Sequence, residues 1–480
     1  MRRHGVTRRF SCGALSGALA ALLAPASACA AEDALPAEIG RTLTLAWGIP
    51  FAGLLLSIAL LPLVAPKLWH HHYGKIATGW ALVFVAAFAA RYGVTPAAHA
   101  VVHAALLEYL PFIALLGALY TVTGGVRLTG TLRGTPMVNL LLLIGGTASA
   151  SIIGTTGAAM LLVRPMVRAN RRRRHKRHVF VFLILLVANV GGALSPLGDP
   201  PLFLGFLQGV PFFWTTTHLL SPTIFTSTIL LLLFYLLDLY HHRRALGHDP
   251  SAIAEVEKLG IKGKRNFLLL LAILFVVLLS GSWHPGLDLS VLGVALPLEQ
   301  VAAILLLLGI SGLSLHLTSP VIRDENEFTW HAMLEVAILF AGIFVTIIPM
   351  LAILQAGEAG SAGALTELMN NGGVPNDRLY FWITGLLSAV LDNAPTYLIF
   401  FNTAGGDAHR LTGDWASTLE AISAGAVFFG ALTYIGNAPN LMVKAIAEQG
   451  GIKMPGFFAY IGWAAAILMP VFAVVTLVYL

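Results

Sequence analysis

Two carboxylates, Asp199 and Asp392, lie in stretches of sequence that are otherwise apolar. An ionised carboxylate inside a lipid bilayer costs about 2.5–3.5 kcal/mol on insertion scales, so each aspartate needs a proton, a cation or a polar partner. Nearby hydroxyl and amide groups supply the oxygen ligands that hard cations such as Na⁺ prefer. The candidate ion-binding or substrate-binding residues are Thr155, Thr156, Ser195, Asp199, Asp392, Asn393, Thr433, Asn437 and Asn440. The chemistry that fits them is the exchange of a proton for Na⁺ at Asp199 and Asp392.

Helix capping is the alternative role for both aspartates. Asp199 precedes Pro200 and Pro201 and could form an Asx turn there. Asp392 could cap a helix at the tip of a hairpin. Either role is compatible with ion binding. Glu335, at the start of an apolar run, is predicted to be either a proton relay or an ordinary interfacial residue.

The sequence around these residues predicts interrupted helices. Segments 192–202 and 430–440 combine glycine and proline, which weaken a helix and remove backbone donors. Unpaired backbone at membrane depth is tolerated only beside a cavity. The tips 154–157 and 392–395 add further helix ends. We therefore predict that four interruptions meet near the midplane of the membrane; the alternative is that these residues only kink their helices.

The composition predicts the elements that carry this site. The chain has 480 residues, of which 57% are hydrophobic and 11% are charged, and its mean hydropathy is +0.81. Soluble proteins contain roughly 25% charged residues, so a soluble enzyme is excluded and an integral membrane protein is predicted. Nucleotide-binding and hydrolase motifs are missing, so we expect no catalysis and no cofactor, only Na⁺ and H⁺ as transported or coupling ions.

The N-terminus has the pattern of a secretory signal peptide over residues 1–30, with Arg2, Arg3, Arg8 and Arg9 before an apolar stretch. A short uncleaved span is the alternative. Cys12 and Cys29 both fall in this segment, which excludes thiol chemistry in the rest of the chain. Removal of the peptide leaves a nearly neutral protein, so a nucleic-acid partner is not expected.

Apolar runs then predict about ten transmembrane helices, within an all-α polytopic fold, and two re-entrant hairpins. The predicted spans are 44–65, 76–93, 107–126, 179–208, 222–239, 266–282, 297–317, 332–354, 418–447 and 456–479, and the hairpins are 137–163 and 379–403. Lys and Arg concentrate in loops such as 164–178 and 240–265, which places those loops in the cytoplasm and both mature termini in the periplasm of an inner-membrane protein.

The two halves of the chain repeat each other. Residues 192–202 align with residues 430–440 at an offset of 238, and Ser149-Ala150 aligns with Ser388-Ala389 at 239. Each half then holds five spans and a hairpin, and an odd number of spans inverts the second copy. The predicted domains are a first repeat, 31–245, with hairpin 137–163 and broken helix 179–208, a cytoplasmic linker, 246–265, and a second repeat, 266–480, with hairpin 379–403 and broken helix 418–447.

These motifs resemble the ion transporter superfamily. The resemblance rests on Ser-Ala-Ser-Ile-Ile-Gly-Thr-Thr-Gly at 149–157, Gly-Asp-Pro-Pro at 198–201 and Asp-Asn-Ala-Pro at 392–395, and it is strongest to NhaD-type sodium/proton antiporters and related citrate transporters. It implies a homodimer in the lipid bilayer, with a scaffold domain and a transport domain that moves like an elevator between two access states.

The resemblance also separates the functions. Divalent-carboxylate members of this superfamily carry Ser-Asn-Thr at both hairpin tips, whereas this chain has Gly154-Thr155-Thr156 and Asp392-Asn393-Ala394. An aspartate at a tip attracts a cation and repels a carboxylate. The prediction is therefore secondary active transport by sodium/proton antiport; the alternatives are sodium- or proton-coupled symport of citrate or a dicarboxylate, and an arsenite-type oxyanion permease.

Overall fold

The computed structural model describes residues 35, 37–130, 132–245, 260–371 and 373–480. The predicted signal peptide, with Cys12 and Cys29, and most of the predicted linker 246–265 lie outside the described residues. The described chain is helical apart from three short strand pairs. The prediction of an all-α polytopic membrane protein is confirmed.

The α-helices are α1 (Ala37–Thr42), α2 (Ile49–Val64), α3 (Pro66–Tyr92), α4 (Val94–His103), α5 (Leu110–Thr123), α6 (Pro136–Ile153), α7 (Thr155–Asn170), α8 (Arg177–Leu186), α9 (Pro200–Leu207), α10 (Trp214–Ala245), α11 (Arg265–Ser280), α12 (Leu298–Leu317), α13 (Pro320–Glu325), α14 (Trp330–Thr346), α15 (Ile348–Gln355), α16 (Gly363–Met369), α17 (Asp377–Leu391), α18 (Asn393–Thr403), α19 (Ala408–Thr412), α20 (Ala416–Phe429), α21 (Ala438–Gln449) and α22 (Phe457–Tyr479).

Shorter elements join them. The 3₁₀ turns are Leu45–Gly48, Val190–Gly192, Gly357–Ala359 and Gly430–Leu432, and one π-helical turn spans Ala104–Tyr109. The strands are β1 (Arg127–Thr129), β2 (Gly260–Lys262), β3 (Asp288–Val291), β4 (Val294–Pro297), β5 (Asn370–Asn371) and β6 (Val374–Pro375), and they pair antiparallel as β1 with β2, β3 with β4 and β5 with β6.

Within the described residues, seven helical segments are long and apolar enough to cross a membrane. They are Leu45–Val64, Pro66–Tyr92, Val94–Thr123, Pro136–Ile153, Trp214–Arg244, Leu298–Leu317 and Phe457–Tyr479. The pair α14 and α15, bent by 42°, adds an eighth if the two helices form one span. Of the ten predicted spans, 179–208 and 418–447 are interrupted and 266–282 is short, so these three fall below that length. Pro136–Ile153, predicted as one arm of a hairpin, meets it.

Several helices extend beyond their predicted ends. The predicted loop 66–75 is helical, because α3 begins at Pro66 and continues to Tyr92. The same is true before the predicted span 107–126 and around 222–239. In α3, Trp69 is buried while His70 and His71 are exposed, so the helix continues past the hydrophobic core with one face still packed.

The helices pack as two bundles, and each bundle takes helices from both halves of the chain. The first bundle contains α2, α3, α4, α5, α11, α12 and α14, and the second contains α6, α7, α8, α9, α10, α17, α18, α20, α21 and α22. In the second bundle α6 packs against α7, and α17 packs against α18 and α20. Helix α22 packs against α10 and completes the group. Between the two halves of the chain, α9 packs against α18 and α21 packs against α7, so the halves contact each other within this bundle.

The backbone repeats at the offset found in the sequence. Gly154 (φ +81°, ψ +148°) and Asp392 (φ +89°, ψ +144°) separate consecutive helices with nearly the same dihedral angles. Asp199 (φ −142°, ψ +142°) and Asn437 (φ −155°, ψ +137°) precede α9 and α21 in the same way. In each pair the two residues are 238 positions apart in the sequence, and Asp199 and Asn437 are also hydrogen-bonded to each other.

Hydrogen bonds follow the same register. The Ser195 hydroxyl donates to the Ser151 carbonyl, and the Thr433 hydroxyl donates to the Ala389 carbonyl. Ser151 therefore corresponds to Ala389, one residue away from the predicted pairing of Ser149-Ala150 with Ser388-Ala389. With this shift of one residue, a single offset of 238 relates both the hairpin tips and the helix interruptions of the two halves.

Loops that were predicted to share one side contact one another. Strand β1 pairs with β2, and Arg127 forms an ion pair with Glu325. Arg164 Nη2 lies 2.9 Å from Glu327 Oε2. We call this end of the molecule the β1 end. The hairpin β3–β4 lies at the other end, the β3 end, because α12 starts directly after β4 and its 20 residues extend about 30 Å toward the β1 end.

A buried polar cluster fixes the second bundle at the β1 end. Asp238 is fully buried, and from the sequence alone the expected ion-pair partners are the basic residues that follow it at 241–244. Its partners are instead Arg173, His178 (Nε2 to Oδ1, 2.7 Å) and Asn139 (Nδ2 to Oδ2, 3.1 Å). Asn139 also exchanges hydrogen bonds with Asn170. These contacts join α6, α7, α8 and α10.

Candidate functional site

The Asp199 side chain is the centre of a buried hydrogen-bond network and is 1% exposed. Its Oδ1 accepts hydrogen bonds from Thr155 Oγ1 (3.0 Å) and Asn437 Nδ2 (2.9 Å). Its Oδ2 accepts a hydrogen bond from Asn393 Nδ2. The three donors come from the start of α7, the residue before α21 and the start of α18. One carboxylate therefore joins both hairpin tips and both helix interruptions.

Proline and glycine explain why Asp199 lies at a helix start. Pro200 and Pro201 occupy the first turn of α9, where their missing N–H groups cost nothing. Before them the chain folds back closely, since a Cβ on Gly198 would lie 2.1 Å from the Gly192 carbonyl oxygen. The interruption predicted at this sequence is confirmed as a 3₁₀ turn, a tight bend and a new helix.

The tips place the other groups against this bend. Gly154 adopts a backbone conformation that L-residues rarely reach, and the Thr155 N–H donates to the Gly198 carbonyl at 2.8 Å. Asp392 has a similar positive φ although it is not glycine. Such a conformation costs of order 1–3 kcal/mol and persists only where the surroundings hold it. The side chain of Asp392 is half-buried at the edge of a cavity.

The cavity lies between the two bundles, has a volume of about 90 Å³ and is partly open to the surroundings. Its polar lining includes Thr155, Thr156, Asp199, Asp392 and Asn437. Apolar residues of α5, α9 and α14 form the facing wall. No Lys or Arg is among the described residues that line it. The site is therefore acidic on one side and apolar on the other.

A narrower passage continues from this cavity toward the β1 end. The two spaces share Tyr120, Thr156 and Gly157, and the passage ends at the ion pair of Arg164 with Glu327. Arg164 belongs to α7 of the second bundle, whereas Glu327 precedes α14 of the first bundle. The passage therefore lies between the site and the β1 end, with one bundle on either side of its ion pair.

Three of the predicted site residues support the backbone rather than the cavity. Ser195 and Thr433 use their hydroxyls to hold the carbonyls of the preceding helices. The buried Asn440 Nδ2 donates to the carbonyls of Gly430 and Thr433, both at 2.8 Å. These residues shape the interruptions, and they do not line the cavity described above.

Glu335 is not brought to the site. Four other residues of α14 line the cavity, namely Ala332, Met333, Val336 and Phe340. Glu335 lies between them in sequence but on a different face of the helix. A proton-relay role at Glu335 therefore gains no geometric support from the cavity.

The buried Asn189 is a site-supporting residue that the sequence reasoning missed. Its Nδ2 donates to Asn440 Oδ1 at 2.8 Å, and its Oδ1 accepts from Asn437 Nδ2 at 3.3 Å. Asn189 therefore connects the two helix interruptions behind Asp199. The available signal was a lone amide at the end of the apolar run 179–188.

One oxygen atom beside Asp199 is available to coordinate a hard cation. Asn393 Oδ1 is buried and has no hydrogen-bond partner among the described residues, although Asn393 Nδ2 is bonded to Asp199. An unpaired buried carbonyl costs about 1–3 kcal/mol. A cation coordinated by Asn393 Oδ1 and the Asp199 carboxylate would satisfy that oxygen.

Comparison with known proteins agrees with a membrane carrier. The profile of a family described as "Putative citrate transport" matches residues 40–480. An uncharacterized transporter of Mycobacterium tuberculosis is 26% identical over 364 residues, which cover 71% of this chain and 78% of the relative. A 46 kDa membrane protein of Mycobacterium leprae is 24% identical over 328 residues, 66% of this chain and 71% of the relative.

Proposed function

Because the chain belongs to the family described as "Putative citrate transport", it is a multi-pass secondary transporter and not an enzyme, and we propose that it carries citrate or a related small carboxylate together with a cation bound at Asp199. This ranks carboxylate symport above the sodium/proton antiport that the sequence favoured. The reason is the family, together with the mostly apolar cavity beside Asp199.

The cavity is the observation that carries the proposal. An open cavity of about 90 Å³ adjoins the buried Asp199 carboxylate, and its lining is mostly apolar with a few polar groups. Sites for small organic molecules are likewise mostly apolar with a few polar groups, with volumes of about 300–1,000 Å³. The cavity must therefore widen to admit a carboxylate of the size of citrate. A site for a bare Na⁺ or a proton alone would need no apolar wall.

Helix N-termini supply the attraction for the substrate. Thr155, Thr156 and Gly157 form the first turn of α7 and line the cavity, and Ala438 starts α21 at the same wall. The unpaired N–H groups of a helix N-terminus carry partial positive charge and bind anions. They replace the basic side chains that the described lining lacks.

The aspartates make a cation necessary. Asp199 and Asp392 would repel a carboxylate in the same cavity, since like charges at short range are unfavourable. A cation at Asp199 and Asn393 Oδ1 removes part of that repulsion and fills an unsatisfied oxygen. Binding of the anion and of the cation then favour each other, which is the coupling that a symporter needs.

Sodium/proton antiport is the second candidate. The acidic lining, with Asp392 at a tip and no described Lys or Arg, suits a site that exchanges cations alone. In that mechanism Asp199 and Asp392 would take up a proton on one side of the membrane and Na⁺ on the other. The apolar wall of the cavity would then have no role.

The finer architecture belongs to the same proposal. Two inverted repeats with two re-entrant hairpins are supported by the matched dihedral angles and hydrogen bonds 238 residues apart. Ten spans result if the interrupted segments 179–208 and 418–447 and the short helix α11 also cross the membrane. The two bundles suit a scaffold and a mobile transport domain. A homodimer in the inner membrane, with the β1 end in the cytoplasm, is expected from the resemblance and from the loop charges.

The test is uptake into proteoliposomes made with the full chain. Radiolabelled citrate would be followed under an imposed Na⁺ gradient, a pH gradient or neither, while a pH-sensitive dye reports proton movement. Symport predicts citrate accumulation with one cation gradient, lost in Asp199→Asn and retained in Glu448→Gln, which alters an exposed ion pair.

Other outcomes discriminate the alternatives. Proton movement driven by Na⁺ or Li⁺ without citrate uptake would establish antiport and overturn the symport proposal. Accumulation of arsenite in place of citrate would identify an oxyanion permease. Asp392→Asn should weaken cation dependence in either cation-coupled mechanism.

A further inference from the structure

A second cavity lies between the bundles at the β3 end. It has a volume of about 390 Å³ and adjoins the end of β4 and the start of α12. Its polar lining consists of His103, Glu108, Gln208, Gln300, Gln355 and Asn402. Among the described lining residues, His103 and Glu108 are the titratable ones. Nothing in the proposed transport site uses this group of side chains.

Two helix interruptions of the first bundle meet at this cavity. The π-helical turn Ala104–Tyr109 is followed by Pro111, and the bend between α14 and α15 is followed by Pro349. The two prolines are separated by 349 − 111 = 238 residues, the offset of the other repeats. Proline removes a backbone donor in each helix, and π-helical turns occur often at functional sites.

Glu108 lies within the π-helical turn and has no hydrogen-bond or ion-pair partner among the described residues. A carboxylate inside a protein without a partner is costly, so it marks a candidate functional position. The amides beside it have committed their donors elsewhere. Gln300 Nε2 donates to the Leu107 carbonyl at 2.7 Å, and Gln355 Nε2 donates to Asn402 Oδ1 at 3.1 Å. The Oε1 atoms of both glutamines remain available as acceptors.

Helix α9 lines both the second cavity and the cavity of the transport site. Asp199 precedes α9, Phe203 lines the first cavity, and Leu207 and Gln208 line the second. Eight residues of helix extend about 12 Å. The first cavity opens toward the β1 end and the second lies at the β3 end, so a thin layer of protein separates them.

We propose that the second cavity is a vestibule that binds a monovalent cation, with the Glu108 carboxylate and the Oε1 atoms of Gln300 and Gln355 as ligands. Na⁺ and the proton share this chemistry, and the experiment distinguishes them. The delivery of that cation to Asp199 rests on the proposed function; its binding at Glu108 does not.

Binding is tested on purified full-length protein whose transport site has been removed by Asp199→Asn. Thermal unfolding would be measured as NaCl replaces choline chloride at constant ionic strength, and again over a pH series. A ligand of the folded state raises the unfolding temperature. We expect stabilisation by Na⁺ to persist in Asp199→Asn, and we expect its half-saturating Na⁺ concentration to rise at least about tenfold in Asp199→Asn/Glu108→Gln.

Controls keep the test independent of folding. Glu358→Gln removes an exposed carboxylate from the β3 end and should leave the Na⁺ response of Asp199→Asn unchanged. If Glu108→Gln does not fold, Glu108→Asp keeps the charge and Gln300→Met removes one amide ligand, and each should weaken the response. A pH response that depends on Glu108 in the absence of any Na⁺ response identifies the proton as the ligand. Equal Na⁺ and pH responses with and without Glu108 overturn the proposal.

Transport supplies a separate readout. In proteoliposomes that accumulate citrate, Glu108→Gln should raise the half-saturating concentration of the coupling cation about tenfold while the KM for citrate at saturating cation stays unchanged. Absence of citrate uptake in the wild type would refute the proposed function, and the unfolding measurement would still decide whether Glu108 binds a cation.

Discussion

Asn437 donates a hydrogen bond of 2.9 Å to Asp199, although the two residues occupy equivalent places in the two halves of the chain. Each precedes a helix that begins with proline in its first turn. A duplicated pair of helix starts has thus acquired different side chains, and one became an acceptor and the other its donor. At these two equivalent positions, the first half of the chain therefore supplies the charged acceptor and the second half supplies a neutral donor.

Exchanging the two side chains should restore stability without restoring transport. In Asp199→Asn, one amide oxygen faces three donors, so at least one buried donor loses its acceptor at a cost of about 1–3 kcal/mol. Adding Asn437→Asp provides a carboxylate for the new amide. Thr155 and Asn393, however, donate to position 199. Thermal unfolding should recover and citrate uptake should not; uptake recovered to half of wild type would disprove the assignment.

The hairpin tips should respond oppositely to substitution. Gly154→Ala places a side chain at φ +81° and should destabilise the protein by about 1–3 kcal/mol. Asp392→Gly relieves the same conformation at φ +89° and should stabilise the protein by about 1 kcal/mol. Transport should fall in both variants, because one distorts the site and the other removes a carboxylate. Unfolding temperature and uptake, measured together, check the pair; destabilisation by Asp392→Gly would contradict it.

Removal of the buried charge at Asp238 should unfold the β1 end. Asp238→Asn leaves the nearly buried Arg173 without its counter-charge, and breaking such a pair costs about 3–5 kcal/mol. Glu448→Gln breaks the exposed pair with Lys444 and should cost less than about 1 kcal/mol. Thermal unfolding in detergent measures both. Equal effects in the two variants would mean that Asp238 does not fix the bundle.

Linking the two bundles at the β1 end should stop transport reversibly. Arg164 of α7 and Glu327 of the first bundle are joined by a 2.9 Å ion pair at the mouth of the passage. We expect Arg164→Cys/Glu327→Cys, treated with a short bifunctional thiosulfonate reagent, to lose uptake and to regain it after reduction. Each single cysteine variant is the control. Full uptake in the linked protein would exclude movement of α7 relative to Glu327 during transport.

The sequence predicted most of the site because its residues sit beside proline and glycine, whose effects on a helix are local. The interruptions at 198–201 and 433–440 and the tips at 154 and 392 follow from those residue types alone. The length of the helices does not follow from residue types alone. Helix α3 continues through polar residues because one of its faces packs in the first bundle. Local propensity cannot report that packing.

The hydrogen-bond and ion-pair partners of buried polar residues could not be predicted where they are distant in sequence. Asp238 pairs with Arg173, not with the basic residues that follow it, and Asn189 reaches Asn440 across 251 positions. The position of Glu108 could not be predicted from the sequence, because a π-helical turn has no distinct sequence pattern. These contacts depend on which helices become neighbours, and that is fixed by the packing of the whole chain.

The short stretch of α9 between the two cavities has an electrical consequence. If both cavities fill with water and ions, the membrane voltage falls mainly across the roughly 12 Å of protein between them instead of the full thickness of the bilayer. A charge carried past Phe203 and Leu207 would then cross nearly the whole potential, worth about 2.3 kcal/mol per elementary charge at 100 mV. A small displacement would make the carrier strongly responsive to voltage.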